Sequence, residues 1–224
     1  RSRGLGDVYK RQIMNIGKTT SDEVTDDGLL QNNEDNNKES NNKTINWSSK
    51  AIVCIDAPHG GSDTGQYDGT NYEKTQMLSL ADSVKNELES AGVTVVMTRT
   101  TDTSVDYTKR IEICNNAKAA ALVSFHRDIT DKSGSSKGIS AWIHTSSPSN
   151  SKSLASDIME ELNGVDVSLS GVNTGTPDNK SKDYYLNQHS KVASCIIELG
   201  NMYSSKDNKL VTTDIDLSLI HISE

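Results

Sequence analysis

The segment Ala51-Ile-Val-Cys-Ile-Asp-Ala-Pro-His-Gly-Gly61 is an apolar run that ends at a histidine within a glycine-rich turn. A short continuous apolar run of this kind predicts a buried strand, here Ala51–Asp56. Apolar residues then recur at helical spacing from position 77 to position 88, and Gly92 follows as a left-handed helix cap. Val93–Thr98 returns as a second apolar run. The stretch therefore predicts a strand, a helix and a second strand.

Alternation of the same kind continues along the rest of the chain and decides the fold class. We predict an α/β fold: a single domain with a mostly parallel twisted sheet and helices on both faces. A last helix begins near Asp207. The remaining predicted elements are a helix at Tyr107–Lys118, strands at Ala121–His126 and Ile139–His144, a helix at Ser153–Asn163 and a strand at Ser194–Leu199.

Three chemically active side chains lie at or just beyond the ends of predicted strands: His59, His126 and Glu198. In open α/β sheets, sites form beyond the carboxyl ends of the strands, so these side chains are expected at one edge. Glu73, in Tyr72-Glu-Lys74, adds a second carboxylate. Two imidazoles and two carboxylates can build an open zinc site with three protein ligands and a separate carboxylate base. The sequence therefore predicts a zinc hydrolase.

Each of these residues also has an ordinary explanation when taken alone. His59 could be a loop histidine, Glu73 could favour the start of a helix through the helix dipole, and His126 could be a buried hydrogen-bonded histidine. Glu198 is harder to explain in this way. It lies within the apolar run Cys195-Ile-Ile-Glu-Leu199, where an ionised carboxylate is costly unless a cation or a function compensates it.

Composition and the chain ends divide the sequence into four parts. Residues 1–12 and 217–224 resemble translated sequencing adapters, since Asp7–Gln12 and Leu217–Ile222 can be encoded by one nucleotide string read on opposite strands, and we interpret both as scars. Residues 13–50 are strongly polar and predict a disordered linker. Residues 51–216 form the predicted catalytic domain. We expect its C-terminus to be truncated and any native signal or anchor to lie upstream.

The charge of the chain restricts its partners. The formal net charge is −8 and no basic run is present, so the sequence lacks the basic face that a nucleic-acid binder needs. No apolar segment is long enough to span a bilayer. We therefore expect neither nucleic acid nor a membrane span.

Five ordered motifs resemble the zinc-dependent N-acetylmuramoyl-L-alanine amidases, peptidoglycan amidases of type 3. The resemblance covers nearly all of residues 51–213. The motifs are Asp56-Ala-Pro-His-Gly-Gly-Ser-Asp-Thr-Gly65, Tyr72-Glu-Lys74, Val96-Met-Thr-Arg-Thr-Thr-Asp102, Val123-Ser-Phe-His126 and Ile197-Glu-Leu-Gly200.

The resemblance implies both an activity and a site. It implies that His59, Glu73 and His126 bind one catalytic Zn²⁺ and that Glu198 is the catalytic carboxylate, with no other cofactor. The implied reaction is hydrolysis of the amide between N-acetylmuramic acid and L-alanine in bacterial peptidoglycan. It further implies a secreted autolysin-like enzyme that acts as a monomer, outside the cell or in the cell wall.

Two other functions remain open from the sequence. One is an inactive zinc-containing module that binds wall peptides, and the other is a different zinc amide hydrolase such as a peptidase or deacetylase. The sequence also departs from the family pattern at Pro58, where a glycine is common, and at Arg127 and Asp128 after the second histidine. We expect Pro58 to be tolerated and Asp128 to lie close to the metal.

Other polar residues are interpreted as structural. Arg99 and Asp102 are expected to tie the second strand to the next helix, and Arg110 to serve packing or capping. The polar segment Leu169–Tyr185 is predicted to be a flexible loop at the rim of a substrate groove. His144 is expected to be half-exposed and not a metal ligand.

The three cysteines, Cys54, Cys114 and Cys195, are predicted to be small buried hydrophobic residues without a disulfide framework. His189 is a weaker candidate for the cleft. A cysteine nucleophile formed by Cys195 and His189 is poorly supported, because Cys195 lies inside a predicted strand.

Overall fold

The computed structural model describes residues 51–128, 131–162 and 166–212. The two predicted scars and the predicted linker lie outside these described residues. Within the described ranges, no helix combines the length and apolar character needed to cross a bilayer.

Six strands and five helices make up the regular structure of the described residues, and every predicted element is present with small shifts at its ends. The helix predicted from Ser153 begins one turn earlier. Two short elements, β5 and α4, were not predicted. In chain order the elements are β1 (Ile52–Asp56), α1 (Glu73–Ser90), β2 (Thr94–Met97), α2 (Tyr107–Asn116), β3 (Ala121–His126), β4 (Ile139–Ile143), α3 (Ser149–Glu161), β5 (Leu169–Thr174), α4 (Tyr185–His189), β6 (Ala193–Leu199) and α5 (Ser205–Thr212).

The strands form one sheet in the order β2-β1-β3-β6-β4-β5. All neighbouring pairs are parallel except β4 and β6, which are antiparallel. The predicted mostly parallel sheet is confirmed. The prediction of a loop over Leu169–Tyr185 is wrong for its first third, because β5 pairs with β4 and hydrogen bonds within the sheet compensate for its weak apolar pattern.

Helices cover both faces of the sheet, as predicted, but the two cores differ in size. The larger core packs α1, α3 and Val211 of α5 against one face, with Met77, Leu88 and Ile158 fully buried. The smaller core packs α2 and α4 against the other face, around Trp142 and Ile196.

A disulfide crosses the smaller core, joining Cys54 of β1 to Cys114 of α2. The two Cα atoms lie 5.4 Å apart, within the range that a disulfide spans. The prediction that all three cysteines are unpaired is therefore wrong for these two. They are 60 residues apart in sequence and meet only because α2 packs onto β1. Cys195 is free and buried, as predicted.

The sheet register brings the site-bearing strand ends together. In the β3–β6 ladder His126 lies directly beside Glu198, and in the β1–β3 ladder Asp56 lies beside Ser124. The ends of β1, β3 and β6 therefore meet at one edge of the sheet, which confirms the predicted convergence of His59, His126 and Glu198.

Candidate active site

His59, Glu73 and His126 form a compact cluster at this edge, with one nitrogen or oxygen of each residue within 4.8 Å of the others. Glu73 lies between the two histidines. Its Oε2 is 3.2 Å from Nε2 of His59, and its Oε1 is 3.1 Å from Nδ1 of His126. The three residues come from the loop after β1, the first position of α1 and the last position of β3, and the fold brings them together as the sequence predicts.

Backbone amides fix the Glu73 carboxylate in place. The N–H of Gln66 donates to Oε2 at 2.8 Å, and the N–H of Arg127 donates to Oε1 at 2.9 Å. Burial would raise the pKa of Glu73, yet the hydrogen bonds from His126 and His59 outweigh burial and hold it well below its usual range. The Glu73 carboxylate is therefore held in one orientation, and its lowered pKa favours the ionised form.

The two histidines are held with a nitrogen directed at Glu73. Nδ1 of His59 lies 2.9 Å from Oδ2 of Asp63, a contact that orients the ring and leaves Nε2 facing the cluster. Burial would lower the pKa of His126, but its hydrogen bond to Glu73 raises the pKa to about 9. A proton and a metal cation compete for the same ring nitrogen, so the groups that raise this pKa would also favour a bound cation.

The donor set and the space around it fit a metal ion. Two imidazole nitrogens and one carboxylate oxygen are a common ligand set of catalytic zinc sites. Gly65 lies directly against the cluster: a Cβ atom there would approach Oε2 of Glu73 to 2.6 Å and Nε2 of His59 to 2.8 Å. Only glycine leaves this side open.

A network of arginines holds the loop that carries His59. Arg110 donates from Nη2 to the carbonyl oxygen of His59 at 2.6 Å, and Arg99 donates to the carbonyl oxygens of Pro58 and Lys74 at 2.8 and 2.7 Å. These bonds stabilise His59 in a left-handed backbone conformation, with φ 59°. Pro58 is accommodated in the turn, as expected.

Glu198 lies next to the cluster but is not part of it. Its side chain is 3% exposed, Oε1 accepts a hydrogen bond from the hydroxyl of Tyr184, and Oε2 has no partner among the described residues. Burial raises the pKa of Glu198 to about 7, against the opposing effects of His126 and Tyr184. A carboxylate with a pKa near neutrality can both accept and donate a proton under ordinary conditions.

All four predicted site residues line one cleft, with a volume of about 670 Å³. The cleft is also lined by residues 176–179 and by Lys182, which belong to the segment predicted as the rim of a groove. The cleft thus offers a cation site, a proton-transfer group and hydrogen-bonding side chains to one ligand.

Comparison with known proteins identifies the family. The family model for N-acetylmuramoyl-L-alanine amidase matches residues 53–222. The chain belongs to this family. It is 30% identical over 174 residues to the probable cell wall amidase LytH of Staphylococcus aureus, and 27% identical over 157 residues to the N-acetylmuramoyl-L-alanine amidase LytC of Bacillus subtilis. These matches cover 76% and 69% of the chain but only 54% and 30% of LytH and LytC.

A solved structure shows the same amidase fold. The N-acetylmuramoyl-L-alanine amidase from Clostridium difficile 630 is 27% identical and superposes with a TM-score of 0.66, covering 77% of this chain and 91% of that one. The family and its relatives support hydrolysis of the peptidoglycan amide as the activity.

Several supporting residues of this amidase domain were assigned the wrong role from sequence. Arg99 and Asp102 do not tie β2 to α2: both secure the His59 loop and the start of α1, where Asp102 accepts from the N–H of Gly61 and from Nζ of Lys74. Arg110 is more than a packing residue, because it also holds the carbonyl oxygen of His59. Buried arginines bonded to a site loop could not be told from structural ones by sequence pattern.

The remaining candidates lie outside the metal cluster. His144 is half-exposed, as expected, and Nε2 lies 3.2 Å from Oδ2 of Asp183. His189 stacks on Tyr185 and is not among the residues that line the cleft. Cys195 is fully buried inside β6, and burial raises the pKa of its thiol; both observations argue against a cysteine nucleophile. Asp128 contributes to the raised pKa of Glu198 but is not among the three clustered ligands.

Proposed function

We propose that this domain hydrolyses the amide between N-acetylmuramic acid and L-alanine in peptidoglycan, with one zinc ion held by His59, Glu73 and His126. The observation that carries the proposal is the joint position of the three clustered ligands and the half-paired carboxylate of Glu198 in one cleft. These three residues would hold the ion, which would supply Lewis-acid chemistry toward an amide carbonyl and would lower the pKa of bound water.

The residues of the chain bind the ion and transfer the proton. Glu73 and the two imidazoles provide one negative charge and two neutral nitrogens, which leaves a net positive charge on the bound ion. Glu198 accepts the proton of the attacking water at its unpaired Oε2 and returns it to the nitrogen of the departing L-alanine. Its neighbour Tyr184 occupies Oε1, so a single oxygen is left for the transfer.

The place of action follows from the substrate. Peptidoglycan lies outside the cytoplasmic membrane, and LytH and LytC are, by name, a probable cell wall amidase and an N-acetylmuramoyl-L-alanine amidase. We propose that the protein acts in the cell wall or outside the cell, as a secreted monomer.

The reaction is tested by product chemistry. The chain is loaded with one equivalent of zinc and incubated with purified peptidoglycan beside its Glu198→Ala variant, and the new termini are identified by mass spectrometry. The proposal expects new L-alanine amino termini and new free lactyl carboxyl groups on otherwise intact muramic acid, both absent with the variant. Cleavage within the peptide, or release of acetate, would instead indicate a peptidase or a deacetylase.

An inactive wall-binding module is the second reading. Zinc bound at one equivalent, together with retention on peptidoglycan and no new termini, would favour it. Glu198 argues against this reading, since a module that only binds has no need for a buried carboxylate with an unpaired oxygen.

A further inference from the structure

Tyr184 was not singled out from the sequence, yet it contacts the most unusual side chain of the site. Its hydroxyl donates a hydrogen bond to Oε1 of Glu198, 14 residues further along the chain. The same tyrosine ring lies against His126, with ring centroids 6.1 Å apart. Tyr184 therefore lines the cleft between the cluster of His59, Glu73 and His126 and the carboxylate of Glu198.

The hydrogen bond decides which oxygen of Glu198 is free. The terminal torsion of a glutamate is broad and roughly two-fold, so a carboxylate without partners can present either oxygen over a range of orientations. Oε1 is taken by Tyr184, while Oε2 is buried without a partner among the described residues. The carboxylate plane is thereby fixed with one oxygen available.

The backbone on both sides of Tyr184 is anchored. Before it, Asp183 accepts hydrogen bonds from the N–H and hydroxyl of Thr145 at 2.7 and 2.9 Å. After it, Asn187 of α4 donates to the carbonyl oxygen of Trp142 at 3.0 Å. Burial raises the pKa of the Tyr184 phenol, so the hydroxyl remains a donor across the working range of pH.

We infer that Tyr184 is a positioning residue for Glu198: its hydroxyl holds Oε1 so that Oε2 faces the reacting water and the leaving nitrogen. The inference rests on the proposed role of Glu198 in proton transfer. Tyr184 would act on the reaction through Glu198 and would not contact the reacting atoms.

The matched comparison is Tyr184→Phe against Tyr203→Phe. Each variant removes one hydroxyl and keeps the ring, but Tyr203 follows β6 and is not among the residues that line the cleft. Tyr184→Phe is expected to lower kcat by roughly 10- to 100-fold, the range of a hydrogen bond to a charged group, with KM unchanged. Tyr203→Phe is expected to keep the kcat of the parent chain.

Three measurements separate positioning from a structural effect. Both variants should bind one equivalent of zinc and unfold at the same temperature. In metal-free protein labelled with ¹³C at the glutamate carboxyl carbons, the Glu198 signal should shift in Tyr184→Phe but not in Tyr203→Phe. In the Glu198→Gln background, Tyr184→Phe should cause no further loss of the residual rate.

The outcomes distinguish this inference from the proposed function. If Glu198→Gln abolishes turnover while Tyr184→Phe turns over as the parent does, the positioning role is wrong and the proposed function stands. A further loss from Tyr184→Phe in the Glu198→Gln background would also overturn it, because the effect would not pass through Glu198. If Glu198→Gln retains full activity, both ideas fail together.

Discussion

Asp56 and Glu198 are two buried carboxylates on the same face of the sheet, at the ends of β1 and β6, yet their surroundings differ. Asp56 accepts hydrogen bonds from Arg110 at 2.8 Å, from Thr98 at 2.6 Å and from Ser124 at 2.5 Å. Glu198 has one hydrogen bond, from Tyr184, and one unpaired oxygen. The two residues are buried to a similar extent, at 1% and 3% exposure, but they differ in the number of hydrogen bonds that compensate the burial of their charge.

The two pKa values reflect this difference. Burial would raise the pKa of Asp56, but Arg110, Ser124 and Thr98 together hold it below its usual value. Burial raises the pKa of Glu198 to about 7 because its partners compensate it only in part. Of these two carboxylates, the one whose partners leave an oxygen free is the candidate for proton transfer, and the fully paired one is a structural link.

The largest expected effect is the loss of turnover in Glu198→Gln, which tests the proposed proton-transfer role. Removing a general base is expected to lower kcat by roughly 10²- to 10⁴-fold, because the amide of glutamine cannot accept the proton. Zinc stoichiometry should be unchanged, and the free energy of unfolding should not fall. Steady-state kinetics, metal analysis and urea unfolding measure the three quantities. Loss of zinc from the variant would mean that Glu198 is a ligand and that the division of roles is wrong.

Asp56→Ala should have the opposite profile, a large loss of stability. The substitution leaves Arg110 buried without its carboxylate, which is expected to lower the free energy of unfolding by about 3–5 kcal/mol in urea. Lys109→Ala is the matched control: its ammonium forms a solvent-exposed pair with Glu112 at 3.3 Å, and its removal should cost less than about 1 kcal/mol. Equal effects of the two substitutions would refute a structural role for Asp56.

The disulfide provides a further test of the structural role of this region, since it joins β1 to α2 as the pair of Asp56 with Arg110 does. Reducing the bond between Cys54 and Cys114 is expected to lower the free energy of unfolding by about 2–4 kcal/mol. The control is the double variant Cys54→Ala with Cys114→Ala, whose stability should not respond to reductant. If reductant leaves the free energy of unfolding of the parent chain unchanged as well, the two sulfur atoms are not bonded in solution.

Much of the fold and of the site could be predicted because the informative residues lie in local patterns. His59, His126 and Glu198 each end an apolar run, and parallel strands bring such ends to one edge. Glu73 is different, since nothing local separates a metal ligand from an ordinary acidic residue at a helix start. Its role came from the family resemblance, and the loop between residues 60 and 72 brings it to the histidines.

The missed features depend on contacts between distant segments. The pairing of Cys54 with Cys114 requires that α2 pack on β1, and the bond from Tyr184 to Glu198 requires that the segment before α4 fold back over β6. The strand β5 has a weak apolar pattern and is defined by its pairing with β4. None of these contacts leaves a periodic signal in the sequence.

The two carboxylates are also expected to differ in the sign of their effect on the pH dependence of stability in metal-free protein. The folded-state pKa of Asp56 is depressed, so its stabilisation is full above about pH 4 and is lost as the pH falls further. The folded-state pKa of Glu198 is raised to about 7, so the folded chain holds a proton that the unfolded chain has released, and stability declines between about pH 4.5 and pH 7.

Urea unfolding with a chelator between pH 3 and pH 8 tests both signs. Asp56→Asn should flatten the acid end of the curve, whereas Glu198→Gln should remove a decline of about 3 kcal/mol between pH 4.5 and pH 7. The four neighbours that act on Glu198, namely His126, Tyr184, Glu73 and Asp128, all remain in the Gln variant. If the free energy of unfolding of both variants has the same pH dependence as that of the parent, the two carboxylates are equally compensated and the contrast between them does not hold.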